Sequence, residues 1–362
     1  MRRGAARRGR ISAAVTAAVL LVGSMLAGCS VVQSAGTWND SRKPVAGSAA
    51  EGAAAAPTGA SASGTATGQS APLAPAYDVT PLLDPSRKYL GVEINGAPDS
   101  ITPAEQFASW VGTKPNLVGQ YLAWNTSFDA KAASNAWSYG AMDFVVWEPW
   151  DTTLADIAAG DSDSYITAFA TAVRTLNVPI ALSFGHEFNG NWYPWGTSKS
   201  SAASFVAAWK HIHDLFAAAG ATNVIWIWDP NDIYPVPDVS LQQYYPGDSY
   251  VDWVGVTGYW DQGGPNSYST LYLPTLEEIR TFTQKPFIIA ETSVAPGSDE
   301  DQSLEDLFQA VEQHSDILGF VWYDYDKGGD WRIENRPTLM TEFQQELDAN
   351  SGHFGFTVSG VK

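Results

Sequence analysis

Cysteine is nearly absent. The 362 residues contain one, Cys29, which excludes an intramolecular disulfide. Histidine is also scarce, with five residues. None forms a His/Cys/Asp cluster with metal-ligand spacing, so no His/Cys metal site and no cofactor are expected. There is no Gly-x-Ser-x-Gly nucleophile elbow and no phosphate-cradling Gly-Lys-Ser loop. Basic residues are outnumbered, 20 Lys and Arg against 39 Asp and Glu, for a formal charge of −19. Such a surface repels phosphates, which excludes nucleic acid and anionic lipid surfaces as partners and favours solubility outside the cell. The one apolar run near the start, Ile11 to Met25, is short for spanning a bilayer.

That run has an arginine-rich stretch before it and Leu26-Ala27-Gly28-Cys29 after it. Charge, length and small residues at the end read as a signal peptide over residues 1–28. The ending resembles a bacterial lipobox, and the chain's single cysteine falls at the position where that chemistry needs it. This implies cleavage before Cys29, lipid attachment to its sulfur and a cell-membrane-anchored, extracytoplasmic protein. Five arginines and no acids would be lost, taking the formal charge from −19 to −24. Residues 29–76 are rich in Ala, Gly, Ser, Thr and Pro, too few core-forming side chains for a folded unit, and read as a linker.

Composition changes near Tyr77, and a strand–helix alternation follows. Strands are expected at Tyr89–Ile94, Asn116–Leu122, Met142–Trp147, Val178–Leu182, Val224–Trp228, Val251–Thr257, Pro286–Ala290 and Leu318–Tyr323. Helices are expected at Pro103–Val111, around Tyr165–Leu176, and at Ser201–Ala219, Ser303–His314 and Pro337–Leu347. Eight strands alternating with helices predict an α/β fold, a single (β/α)8 barrel over residues 77–350, with 351–362 as a C-terminal tail. A monomer is expected.

The stretch that organises the chain is Ser183-Phe-Gly-His-Glu-Phe-Asn-Gly-Asn-Trp-Tyr-Pro-Trp-Gly196. It follows the fourth strand and brings Glu187 to the end of the barrel where such folds carry their sites. Glu291 follows the seventh strand in the same way. Two glutamates at two strand ends, among amides and flat rings, suit glycoside hydrolysis: one acid/base and one nucleophile or base. Rings stack on sugar faces and amides bond hydroxyls. Tyr259, at the end of the sixth strand, is a candidate donor to Glu291, and an ordinary core tyrosine is an equal reading. Trp147, Trp150, Trp260 and Trp322 are candidate sugar platforms. Glu148 either bonds a sugar hydroxyl or competes with Glu187 for the acid role. Trp226 and Trp228 share one strand face and read as core.

His186-Glu187-Phe-Asn-Gly-Asn-Trp-Tyr-Pro-Trp-Gly196 resembles the acid/base motif of glycoside hydrolase family 26, the β-mannanase family. Tyr244 to Tyr259, Lys285-Pro-Phe-Ile-Ile-Ala-Glu-Thr292, and Gly319-Phe-Val-Trp-Tyr323 with Asp330-Trp-Arg-Ile333 agree with it. The resemblance covers roughly residues 80–350. It implies a retaining mechanism with Glu187 as acid/base and Glu291 as nucleophile. It also implies that His186, Trp192, Tyr259 and Trp322 line the site around the scissile sugar. The residue pattern itself adds Asn189, Trp195, Trp260, Trp147 and Glu148 as candidate substrate contacts. Two stretches depart from the pattern. Ser183 stands where mannanases of this family often have arginine, and Trp147-Glu-Pro-Trp150 where they often have histidine and asparagine. Both departures bear on which β-glycan is cut. The implied substrate is β-1,4-mannan, with mixed-linkage β-1,3-1,4-glucan or β-1,3-xylan as family alternatives. A non-catalytic glycan-binding lipoprotein is the reading of a different class.

Overall fold

The computed structural model describes residues 74–260, 264–297 and 299–361. Eight parallel strands pair in chain order and close on themselves: β1 Tyr89–Ile94, β2 Leu117–Ala123, β3 Met142–Glu148, β4 Ile180–Phe184, β5 Val224–Trp228, β6 Trp253–Thr257, β7 Phe287–Thr292 and β8 Ile317–Asp324. Every residue of β1 and of β3 to β8 is buried. Strands covered on both faces read as continuous apolar runs, which is why they stand out in the sequence. Between them run α1 Thr102–Val111, α2 Ala130–Tyr139, α3 Leu154–Ala159, α4 Asp163–Leu176, α5 Ala202–Ala218, α6 Tyr268–Leu271, α7 Leu273–Arg280, α8 Glu300–Gln313 and α9 Pro337–Ala349. The expected (β/α)8 barrel is the observed fold.

Two apolar clusters divide the strand residues. Tyr89, Leu117, Phe144, Ala181, Ile227, Trp253, Ile288 and Val321 fill the barrel. Leu90, Val145, Trp147, Leu182, Trp226, Trp228, Ile289 and Trp322 face the helices. The helices dock on them by apolar stripes, as with Phe205, Ala208, Trp209, Ile212 and Phe216 of α5. Ser201 caps α5 by accepting from the Ser204 amide.

Inside the barrel, polarity rises toward the C-terminal ends of the strands. The alternation that puts Tyr89 inside also puts Glu93 inside, and Leu117 likewise places Tyr121. β7 breaks the alternation. Val256 pairs with Ile289 but Thr257 pairs with Glu291, an irregularity of one residue. Ala290 joins the interior cluster while Glu291 also meets groups at the barrel mouth. Two consecutive inward residues need such a bulge.

Residues 351–361, expected to be a tail outside the domain, belong to it. Phe354, Phe356 and Val358 are buried, and Phe356 packs on Tyr89 at 5.0 Å. The Val358 amide donates to Gly140 O at 2.9 Å. They close the N-terminal end of the barrel, where strand side chains alone would leave apolar surface wet. The first described residues lie there too. The Tyr77 amide donates to Asn177 Oδ1 at 2.8 Å, and the Tyr77 ring meets Trp137 edge-on at 5.5 Å.

Candidate active site

Glu187 lies three residues past β4, in a tight loop. Its backbone has φ +51°, in the left-handed region. That conformation costs a residue other than glycine about 1–3 kcal/mol and persists only when surroundings impose it. Here they do. The Glu187 amide donates to Asp229 O at 2.8 Å, and its carbonyl accepts from the Gly190 amide at 2.9 Å. The Trp195 indole donates to His186 O at 2.7 Å. The Trp192 indole, half-buried, donates to Glu187 Oε2 at 2.9 Å. Gly190 makes room for this contact, because a β-carbon there would lie 2.4 Å from the Trp192 ring. Backbone strain held at a carboxylate points to a function for that carboxylate.

Glu291 on β7 is buried, with 2 % of its surface exposed. Its Oε1 accepts from the Tyr259 hydroxyl and its Oε2 from the Tyr121 hydroxyl. Tyr259 is therefore a donor to Glu291 and not merely core. Burial pushes the Tyr121 phenol well above its ordinary range, and the charge of Glu291 adds to the effect. The hydroxyl keeps its proton and can donate.

Asp229, just beyond β5, lies beside both glutamates. Burial pushes its carboxyl well above the usual range, and Glu291 and then Glu187 push it further. Ser183 Oγ and Thr257 Oγ1 each donate to it at 3.3 Å. Farther along the same loop, burial raises Asp232 to about 7. The two glutamates thus share one polar floor, although 104 positions separate them in the chain.

Several residues expected at the sugar face elsewhere. Trp147 stacks on Phe169 of α4 at 4.4 Å and 21°. Trp322 meets Phe343 of α9 edge-on at 5.3 Å. Both are fully buried on the helix side of the barrel, so neither serves as a platform. Glu148 and Tyr323 point inward, and strand alternation turns their neighbours Trp147 and Trp322 outward. Trp260 is also buried, edge-on to Tyr272 at 5.8 Å.

Asn189 is clamped to the β5 loop. Its Nδ2 donates to Asn231 O and its Oδ1 accepts from the Asn231 amide, both at 2.8 Å, so its amide ties the β4 loop to the β5 loop. Trp195 is buried and stacks on Tyr193 at 4.4 Å and 11°, with Trp150 edge-on to it at 5.0 Å. These rings are the loop's own core. Glu148 is buried and accepts from the Trp150 indole at 3.0 Å. His186 is buried 4.9 Å from the Tyr193 ring and 6.0 Å from Tyr121. Of the tryptophans expected to bind sugar, Trp192 and Trp150 are half-buried, Trp192 beside Glu187 and Trp150 beside Glu148. Trp226 and Trp228 are core, as read from the sequence. Cys29 lies outside the described residues.

A cleft of about 170 Å³ opens beside Tyr121, between Asn95, Asp99, Gln120, Tyr323, Tyr325 and Lys327. A larger cavity, about 320 Å³, lies at the other end of the barrel around Lys114, Gly140 and Phe356. Glu187 and Glu291 line neither cavity, so size alone does not mark the site. Glu93, Tyr121, Asp229, Tyr323 and Tyr325 are site residues that sequence reasoning missed. Strand alternation counted outward from Tyr89 would have found Glu93.

The fold and the two strand-end glutamates define a (β/α)8 barrel with the layout of a glycosidase. Residues 158–335 match the sequence family described as Glycosyl hydrolase family 26. It is 29 % identical over 273 residues to Endoglucanase H of Acetivibrio thermocellus, covering 71 % of this chain and 30 % of that one. It is 28 % identical over 285 residues to a mannan endo-1,4-beta-mannosidase of Thermothelomyces thermophilus, covering 74 % and 50 %. The chain thus spans half or less of the length of these two relatives. In fold it is similar to a modular endo-beta-1,4-mannanase from Cellulomonas fimi. The TM-score is 0.60 at 18 % identity, over 78 % of this chain and 75 % of that one.

Proposed function

We propose that this protein is a retaining endo-β-glycanase that hydrolyses β-1,4-mannan by two-step displacement. The observation that carries this reading is the unequal setting of the two glutamates. Glu291 receives two tyrosine hydroxyls, which suits a carboxylate that must remain charged to attack an anomeric carbon. Glu187 sits by an indole ring on a strained loop, which suits a group that gives and then takes one proton. Glu187 protonates the leaving oxygen as Glu291 forms the glycosyl ester. Glu187 then deprotonates water, which displaces Glu291 with its carboxylate restored. Atoms and charge balance over the cycle.

Mixed-linkage β-glucan is the second reading. The likeness to Endoglucanase H over 71 % of the chain favours it, as does Ser183. That serine bonds Asp229 where the family's mannanases often carry an arginine.

Reducing-sugar release from mannan, galactomannan, lichenan and β-1,3-xylan separates these substrates. Release from mannan is expected, lost in Glu187→Ala and Glu291→Ala, with the β-anomer appearing first by proton NMR. Release of the α-anomer first would end the retaining mechanism. No release from any polymer by the folded protein would favour a glycan-binding role.

The lipobox reading of Leu26-Ala27-Gly28-Cys29 motivates a proposed cell-surface location. Metabolic labelling with a tagged fatty acid should mark the full chain and not Cys29→Ser. Equal labelling of both would exclude Cys29 as the anchor.

A further inference from the structure

The Tyr121 hydroxyl has two carboxylate neighbours and one proton. It lies 2.7 Å from Glu93 Oε2 and also bonds Glu291 Oε2. An oxygen–oxygen contact of hydrogen-bond length between a phenol and a carboxyl group needs a proton in it. Two contacts need two protons, and the phenol supplies one. The second belongs to a carboxyl group. Glu291 is the nucleophile under the proposed function, on which this inference rests, and it must attack as an anion. That leaves Glu93.

The setting of Glu93 agrees. It has no exposed surface. Burial without solvent disfavours an anion. The titratable groups near it include Tyr121 on β2, which bonds it and Glu291 alike, Tyr323 paired with it on β8, and Tyr325 just after β8. Its side chain occupies a place made for it. Glu93 pairs with Gly119 on β2, where a β-carbon would come within 2.3 Å of Glu93 Cγ. Any larger residue at 119 would displace the carboxyl from Tyr121.

We propose that Glu93 is a protonated positioning residue whose carboxylic O–H donates to the Tyr121 oxygen and so commits the Tyr121 proton to Glu291. The chain runs Glu93 to Tyr121 to Glu291, each member donating to the next. It aims a donor at the nucleophile without placing a second negative charge beside it. An ionised Glu93 would compete for the same phenolic proton and repel Glu291.

The test compares the full-length parent with Glu93→Gln and Glu93→Leu. Infrared difference spectra of parent minus Glu93→Gln at neutral pH should show the carbonyl band of a protonated carboxylic acid, shifted in heavy water. Loss of only a carboxylate band pair would show Glu93 ionised and overturn the proposal. In the pH profile of kcat/KM, Glu93→Gln should leave the acidic limb in place, because an amide replaces a neutral acid. A limb displaced to lower pH would show that a negative charge had been removed, and would also overturn it.

Gln can still donate to Tyr121 and Leu cannot. Glu93→Gln should therefore exceed Glu93→Leu in kcat by about ten- to a hundredfold. Equal losses in the two variants would reduce Glu93 to packing. The infrared arm needs no turnover, so it decides the protonation state even if no glycan proves to be a substrate.

Discussion

Glu291→Gln is expected to lower turnover by about 10⁴-fold or more while leaving the fold intact. Glutamine matches glutamate in shape. Its carbonyl accepts from one of the two hydroxyls, Tyr259 or Tyr121, and its amide N–H donates to the oxygen of the other, so the barrel mouth stays hydrogen-bonded. What it cannot do is form a glycosyl ester and leave again. The loss should fall on kcat, with thermal unfolding close to that of the parent. Pre-steady-state trapping with a 2-fluoro glycoside of the preferred sugar should label the parent at Glu291 and fail in the variant. A variant within about tenfold of the parent would remove Glu291 from the nucleophile's role.

Glu187→Ala should cost about 10²–10⁴-fold on polysaccharide, where the departing sugar oxygen needs a proton. The size of the loss should depend on the leaving group. A dinitrophenyl glycoside departs unaided, so the first step should recover and the glycosyl ester should accumulate. Added azide, which needs no general base, should then release it as the β-glycosyl azide. Equal loss on both substrates, without rescue, would mean that Glu187 only holds the loop together. That outcome has a structural basis to compete with, since the Glu187 amide and carbonyl both brace the loop. Alanine retains those backbone bonds, so the rescue experiment isolates the carboxyl.

The barrel was legible because its strands are buried on both faces and several end in a carboxylate. Val224–Trp228 matches residue for residue. The helix Ala130–Tyr139 was not legible, because its sequence is short and mixes alanine with polar residues. Its start is set by Asp129, which accepts from the Lys131 and Ala132 amides. The same double burial that reveals the strands hides which way each residue points. Trp147 and Trp322 at strand ends looked like platforms, and tertiary packing turned them to the helices. Aromatic richness in the Ser183–Gly196 loop was read as sugar contact. Much of it is the stacking of Tyr193 on Trp195, with Trp150 from beyond β3 set edge-on against Trp195. Tyr121 and Glu93 were passed over as members of apolar runs. Only the closing of β1 against β2 and β8 brings them to Glu291.

The seating of Tyr77 against Asn177 and Trp137, with Phe356 and Val358 closing the same end of the barrel, gives the molecule two poles. Both ends of the described chain converge on one, and the glutamates occupy the other. Anything joined to either end, whether a surface or a neighbouring module, meets the barrel on the side where no chemistry is done. A polymer too large to enter a pocket can therefore lie across the far pole without being obstructed by anything joined at the near one.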